Sequence, residues 1–410
     1  MGWRASCERP RMRWHIRSSL AWLLCVGACS SAGGEGPSGA GASPGQAGET
    51  MAAGAGHGGE SGAEATAGHA GQSELTSCEA ERRELERDIA AKLDAAAADP
   101  EVTSEPTFTL ALETASGHRF VHSHGDSTLD TTYESASTSK WVAASVILDL
   151  VDQGVLALDD SPSKYLSFWE VEGVTLAQLL SFTSGFGKEA LCFNLPTANF
   201  AECVQKAYDA NLGVAPPPGS QFYYSSTHLQ IAGLMAVRAT GAAGFSELFA
   251  AWQDKTGLFA NGAFDLPSTT NPRLAGGMHW TGAEYLGFLR AMYDGKLLAT
   301  STRQAMLESQ RGAAKVGGSP TLDGLGQDWA YGFGNWLECP TALGPDTYDC
   351  GSGHRNSSPG AYGAYPFIDW DRRYFGILAR QGKLGTFRDG DSLFQVAALE
   401  IAHWATLCEP

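Results

Sequence analysis

Strand-like sequence sits at the two ends of residues 76–410, and this placement limits the folds open to the chain. Thr107–Glu113 alternates apolar and polar residues, Ala115-Ser116-Gly117 has turn chemistry, and Arg119–His124 alternates again, which predicts a β-hairpin. A long helix-and-loop region follows to about Gln310. Strand-like runs then return at Tyr331–Leu337, Tyr362–Trp370 and Arg373–Arg380. Glu79–Ala98 is rich in Ala, Glu and Arg and reads as a helix. In Thr138–Gln153 the apolar residues Trp141, Val142, Val146, Ile147, Leu150 and Val151 fall at helical spacing, and Gly154 ends the segment. Asp391–Thr406 closes the chain as an amphipathic helix. Strands first, a helical middle, then strands and a helix predict one sheet interrupted by a helical insertion. At 43% hydrophobic and 18% charged residues the chain has apolar mass for a large core.

The first 75 residues follow different rules. Arg11, Arg13 and Arg17 precede the apolar run Leu20–Ala28, which is too short to span a bilayer and suits the apolar stretch of a secretory signal. Val26-Gly27-Ala28-Cys29 resembles a bacterial lipoprotein cleavage site, which makes residues 1–29 a lipoprotein signal peptide with Cys29 as the lipid carrier. An ordinary cleaved signal is the alternative. Residues 30–75 consist mainly of Gly, Ala, Ser, Glu and Gln, which bury too little to offset their ordering entropy, so a disordered tether is expected. Residues 76–410 then form the folded domain. The expected location is exported and lipid-anchored to a bacterial cell membrane. A net charge of -17 argues against a nucleic-acid partner and against a polybasic membrane patch, leaving the lipid as the membrane contact.

Cysteine use fits export. Of nine cysteines, Cys7 and Cys25 fall within the signal and Cys29 is the lipidation candidate. The other six are Cys78, Cys192, Cys203, Cys339, Cys350 and Cys408. Cys192/Cys203 and Cys339/Cys350 are close in sequence within loop-like stretches, and Cys78 and Cys408 lie at the two ends of the domain, where termini are often adjacent. Three disulfides are expected: Cys192–Cys203, Cys339–Cys350 and Cys78–Cys408. No close Cys pair of the zinc-binding kind is present.

Two S-x-x-K segments are candidates for nucleophilic chemistry. Ser137-Thr138-Ser139-Lys140 stands at the mouth of the predicted helix, with Lys140 one turn above Ser137 on the same face. A buried lysine loses its proton readily and then serves as base to a serine hydroxyl, and the helix N-terminus offers free N–H groups to an oxyanion. Ser161-Pro162-Ser163-Lys164 has the same spacing without a buried helix behind it, and reads as coincidence. His122-Ser-His124-Gly-Asp126 has the form of a metal-ligand set, but it falls on the predicted hairpin with no further ligand cluster downstream. We read it as an exposed hairpin end.

Several ordered motifs surround the first S-x-x-K. Tyr133-Glu-Ser-Ala-Ser137-Thr-Ser-Lys140, Leu179-Leu-Ser-Phe182-Thr183-Ser184-Gly185-Phe186, Pro218-Gly219-Ser-Gln-Phe222-Tyr-Tyr224-Ser225-Ser226, Asn271-Pro-Arg-Leu-Ala-Gly276-Gly277 and Ser357-Ser358-Pro359-Gly360-Ala361 occur in that order. Together they resemble the class C β-lactamase and penicillin-binding-protein-like serine hydrolases, from about residue 80 to the C-terminus. The second motif answers to that family's Leu-Leu-x-His-Thr-Ser-Gly-Leu and the third to its Pro-Gly-x-x-Phe-x-Tyr-Ser-Asn. The resemblance implies an α/β (α+β) fold, an antiparallel sheet flanked by helices with an inserted helical subdomain. It implies Ser137 as the acylated nucleophile, Lys140 as its base and Tyr224 as the tyrosine that shares proton transfer; a phenol needs an adjacent cation to ionise, and Lys140 could be that cation. It also implies the backbone N–H groups of Ser137 and Ala361 as the oxyanion hole, and Ser226, Ser358 and Gly360 as substrate-binding positions. No metal or organic cofactor is implied.

Two departures bear on substrate. Ser226 stands where the family has Asn, and Ser358-Pro359-Gly360 where relatives carry Lys-Thr-Gly or His-Thr-Gly, so the third wall of the site loses a cation and a hydroxyl. His354 and Arg355, just before Ser358, read as plain loop residues, with replacement of the missing charge by either as the alternative. The expected activity is acyl transfer from a small ester or amide, with esters preferred. A β-lactamase or D-Ala-D-Ala carboxypeptidase is the rival within the same chemistry, and a non-catalytic binding lipoprotein the rival outside it.

Overall fold

The computed structural model describes residues 67–338 and 354–409. In chain order these begin with helix α1 (Ala67–Ala97), strands β1 (Phe108–Thr114), β2 (Arg119–His124) and β3 (Thr132–Glu134), and helices α2 (Ser139–Asp152), α3 (Leu176–Leu180) and α4 (Phe200–Asn211). There follow β4 (Gln221–Tyr223), α5 (Thr227–Thr240), α6 (Phe245–Thr256), β5 (Ala263–Phe264), β6 (Met278–Thr281), α7 (Gly282–Tyr293), α8 (Thr300–Leu307), β7 (Lys315–Gly318) and α9 (Pro320–Leu325). The chain closes with β8 (Ala330–Tyr331), β9 (Trp336–Leu337), β10 (Arg355–Ser357), β11 (Tyr365–Asp369), β12 (Tyr374–Ala379), α10 (Phe387–Gln395) and α11 (Ala398–Thr406).

The main sheet runs β2-β1-β12-β11-β10-β9-β8, antiparallel throughout. The first strand therefore pairs with the last, Thr109 opposite Ala379 and Thr114 opposite Tyr374, and everything between β2 and β8 is an insertion. All seven residues of β1 are buried, as a strand covered on both faces requires. One face packs Phe108, Leu110, Leu112, Phe367 and Leu378 against Ile89 and Leu93 of α1 and Leu393, Phe394, Ile401 and Trp404 of α10 and α11. The other face belongs to the larger core, with α2 at its centre. Twelve of the fourteen residues of α2 are buried, so its sequence is apolar nearly all round rather than on one stripe.

The sequence expectations differ from the structure at several element ends. Helix α1 begins at Ala67, within the stretch read as tether (30–75): Ala67, Ala70, Gln72 and Glu74 favour helix and extend one that Ile89 and Leu93 anchor. The run Tyr331–Leu337 is a hairpin of two short strands, β8 and β9, because Gly332 and Gly334 interrupt it. At Gly334 φ is +75°, and a Cβ there would come within 2.6 Å of the Lys140 carbonyl oxygen. The closing helix is two helices, broken at Val396–Ala397, which keeps Leu393, Phe394, Ile401 and Trp404 all on the sheet. Cys78–Cys408 and Cys192–Cys203 are disulfide-bonded, with Cα atoms 5.9 and 5.7 Å apart. The third expected pair, Cys339–Cys350, lies outside the described residues, as do the signal peptide, Cys29 and the tether up to residue 66. No described helix is long and apolar enough to cross a membrane.

Candidate active site

Ser137 lies in a short 3-10 turn, Ala136–Thr138, that runs straight into α2. Ala136 has φ +45°, a conformation that costs a non-glycine residue free energy and that the surrounding core sustains. The turn is held from several sides. Trp280 Nε1 donates to Thr138 Oγ1 at 2.9 Å, the Tyr285 hydroxyl donates to Thr138 O at 2.8 Å, and the Ser358 hydroxyl donates to Ser137 O at 3.0 Å. Gly360 packs directly on it: a Cβ there would lie 2.8 Å from Ser135 O and 3.2 Å from Thr138 Cγ2, so only glycine lets the segment 358–361 come this close. Ala361 is next to this contact, and its N–H has no backbone acceptor among the described residues.

Lys140 Nζ is 2.8 Å from Ser137 Oγ and 2.7 Å from Ala275 O. The side chain is buried. That burial, with the Arg273 guanidinium nearby, brings Lys140 down to about 7 against the opposing pull of Glu189. Tyr224 extends from the end of β4, its N–H donating to Gly318 O at 3.0 Å. Its ring lies 4.6 Å from Lys140 Nζ and stacks on Trp336 at 5.0 Å, with Phe182 and Tyr331 edge-on. Burial pushes the Tyr224 phenol upward, with hydrogen bonding to Ser137 and Trp336 opposing it. Burial works against the phenolate that an adjacent Lys140 cation could support. Lys140 Nζ sits over the ring, and burial disfavours charge on both groups.

Ser226, Ser358 and Gly360 are all at the site, but the two hydroxyls are engaged. Ser358 ties down the Ser137 backbone. Ser226 Oγ accepts from Arg273 Nε at 3.2 Å and Nη2 at 3.0 Å. Arg273 also donates to Asn194 Oδ1 at 2.9 Å and forms an ion pair of 3.0 Å with Glu189, whose other oxygen accepts the Ser226 N–H at 2.8 Å. Burial acts to raise the Glu189 carboxyl, but Arg273 and the Ser226 N–H hold it below its ordinary range. His354 and Arg355, the alternative sources of the missing charge, are both engaged elsewhere. Arg355 is buried on the far face of the sheet, 2.7 Å from Asp369 and against the rings of Phe367 and Phe394, and His354 pairs with Asp371. Arg273 and Glu189 were not singled out by sequence reasoning. Arg273 stands within the Asn271–Gly277 motif and was findable there; Glu189 carried no signal.

The discounted segments have structural partners, and His122 and His124 are half-buried rather than an exposed hairpin end. Ser161 caps the short turn Pro162–Lys164, and Lys164 pairs with Asp160 at 2.6 Å. His122 and His124 both contact Asp94 Oδ1 at 2.8 Å across to α1. Among the described residues no group of three or more His, Cys, Asp or Glu is placed to hold a metal ion.

A family model described as Beta-lactamase matches residues 110–399. Among solved structures, a putative beta-lactamase from Bacteroides dorei DSM 17855 is 28% identical over 73% of this chain and 94% of its own, with a TM-score of 0.62. The D-amino acid amidase from Ochrobactrum anthropi SV3, complexed with D-phenylalanine, shares the fold at 17% identity, covering 78% of this chain and 99% of its own, with a TM-score of 0.59. Penicillin-binding protein 4 of Amycolatopsis lactamdurans is 32% identical over 122 residues, 28% of this chain; the match spans 31% of that curated relative's length.

Proposed function

Because the chain belongs to the Beta-lactamase family, we propose that it is a serine hydrolase working through an acyl-enzyme on Ser137, with small neutral esters or amides as substrates and esters preferred. The observation that carries this reading is the 2.8 Å contact between Ser137 Oγ and a buried Lys140 brought down to about 7. A neutral amine at that distance takes the hydroxyl proton as Oγ bonds to the substrate carbonyl carbon. The oxyanion that forms meets the N–H groups of Ser137 and Ala361. The protonated Tyr224 phenol gives its proton to the departing alcohol or amine and regains one from the Lys140 ammonium. Water then attacks the acyl carbon, its proton passing to Lys140, and the Ser137–acyl bond breaks as the Lys140 ammonium returns that proton to Ser137 Oγ. A fluorophosphonate probe tests the nucleophile: labelling of the parent and none of Ser137→Ala is expected, and an unlabelled parent would favour the non-catalytic binding protein.

The preference for neutral substrates rests on charge. Penicillins, cephalosporins and D-Ala-D-Ala peptides carry a carboxylate beside the scissile amide. A charge-assisted hydrogen bond to it is worth about 1.5–3 kcal/mol. Ser358 and Pro359 supply no cation, Arg355 points away, and Arg273 is balanced by Glu189. We expect kcat/KM for p-nitrophenyl esters to exceed that for a chromogenic cephalosporin, and Ser358→Lys to narrow the gap. Efficient cephalosporin turnover would instead support the β-lactamase or carboxypeptidase reading. At the N-terminus, the Val26–Cys29 pattern supports export with lipid on Cys29, for which Cys29→Ala should release the protein from membranes.

A further inference from the structure

We propose that His228 is a positioning residue that holds Tyr224 against Ser137, an inference that rests on the acyl-transfer reading above. His228 is the second residue of α5 and fully buried. Its Nε2 lies 3.0 Å from Tyr223 O and its Nδ1 2.8 Å from Ser184 Oγ. A carbonyl oxygen has no hydrogen to give, so Nε2 carries the proton and donates it, and Nδ1 accepts from the Ser184 hydroxyl. Burial brings this imidazole down to about 4, in keeping with a neutral ring.

The carbonyl that His228 grips belongs to the peptide unit joining Tyr223 to Tyr224. That unit is planar, so fixing its oxygen fixes the plane from which the Tyr224 side chain departs. The other end of the same unit, the Tyr224 N–H, is held by Gly318 O, and the Tyr223 N–H by Phe182 O, each at 3.0 Å. The His228 ring adds a second route: it stacks on Phe182 at 5.0 Å, and Phe182 meets the Tyr224 ring edge-on at 5.5 Å. Phe182 itself has φ +60°, unfavourable for an aromatic residue, and Ser184 just beyond it is bonded to His228. Phe182 stands where the resembling pattern has histidine. In this chain the imidazole beside that position comes from α5.

The test uses the full chain and p-nitrophenyl butyrate. His228→Gln keeps an N–H able to reach Tyr223 O, and His228→Leu removes both hydrogen bonds. With Tyr224 misplaced by a fraction of an ångström, kcat of His228→Leu is expected to fall about 10- to 100-fold with KM within about threefold, and His228→Gln to retain about a third of parent kcat. In the Tyr224→Phe background either substitution should cost less than about twofold more, since the group being positioned is gone. Parent-like kcat in folded His228→Leu, equal losses in the Gln and Leu variants, or full additivity with Tyr224→Phe would overturn the proposal. Should His228→Leu fail to fold, Ser184→Ala takes its place, with a several-fold loss of kcat that vanishes in the Tyr224→Phe background. A readout apart from turnover separates this proposal from the acyl-transfer reading. The imidazole nitrogen resonances of His228 should report the Nε2–H tautomer even in Ser137→Ala. The opposite tautomer would overturn the positioning role, whereas a parent inert toward esters and fluorophosphonate would overturn the reading it rests on.

Discussion

At the level of single residues, the site is a problem in keeping an amine neutral. Lys140 does so by burial and by the nearby Arg273 cation, with Glu189 pulling the other way. A base must be unprotonated to act, so acylation should rise with pH through about 7 and then level. Glu189→Gln removes the carboxylate that favours the ammonium and should move the midpoint down; Arg273→Gln removes the competing cation and should move it up. Rates of fluorophosphonate labelling against pH check both, and shifts in the opposite direction would show that the pair acts otherwise. Lys140→Ala or Tyr224→Phe should cost several orders of magnitude in kcat, while Ser161→Ala should change nothing, its lysine being tied to Asp160 at the surface. Ser137, Lys140 and Tyr224 were legible in the sequence because each sits in a local motif whose spacing is chemically constrained. Glu189 was not, since an ion pair between two loops leaves no periodic trace. The burial that works against a Tyr224 phenolate was not legible, because sequence suggests proximity to a lysine but not how dry the ring's surroundings are.

Among elements, the short loops did more than connect. The stretch from Glu189 to Cys203 walls the site: Asn194 and Glu189 hold Arg273, and Asn271 Nδ2 donates to Cys192 O and Leu195 O, each at 2.9 Å. The Cys192–Cys203 disulfide closes this wall onto α4. Opening it by the double change Cys192→Ser, Cys203→Ser should lower stability by about 3 kcal/mol from loop closure alone. It should also raise KM more than it lowers kcat, because Ser137 and Lys140 belong to α2 and its leading turn. Denaturant titration beside ester kinetics checks this, and an unchanged KM would show that the wall stands without its clamp. The sequence foretold the hairpin, α2 and the terminal strands, whose apolar periodicity is strong. Strand β10 escaped notice because three residues buried on both faces carry no alternation, and the β8–β9 hairpin was read as one strand because its glycines sit inside an otherwise apolar run.

For the molecule as a whole, the two ends of the fold are stitched together. Cys78 near the start of the domain is bonded to Cys408 at its close, Arg82 donates to Leu407 O, and α1 shares a core with α10 and α11. Cys78→Ser with Cys408→Ser should therefore lower the melting temperature while leaving ester kcat near its parent value, since the face α1 covers is the one opposite Lys140. A loss of activity at temperatures where the fold persists would contradict that separation. The pairing of β1 with β12 has a further consequence, for time rather than for stability. A ribosome makes β1 long before β12, and a central strand cannot be satisfied by one neighbour alone. The first hairpin must wait, with its apolar residues uncovered, through the synthesis of nearly the whole domain. Closing so large a loop is slow, so folding should be late, all at once at the sheet, and exposed to aggregation until the last strand arrives.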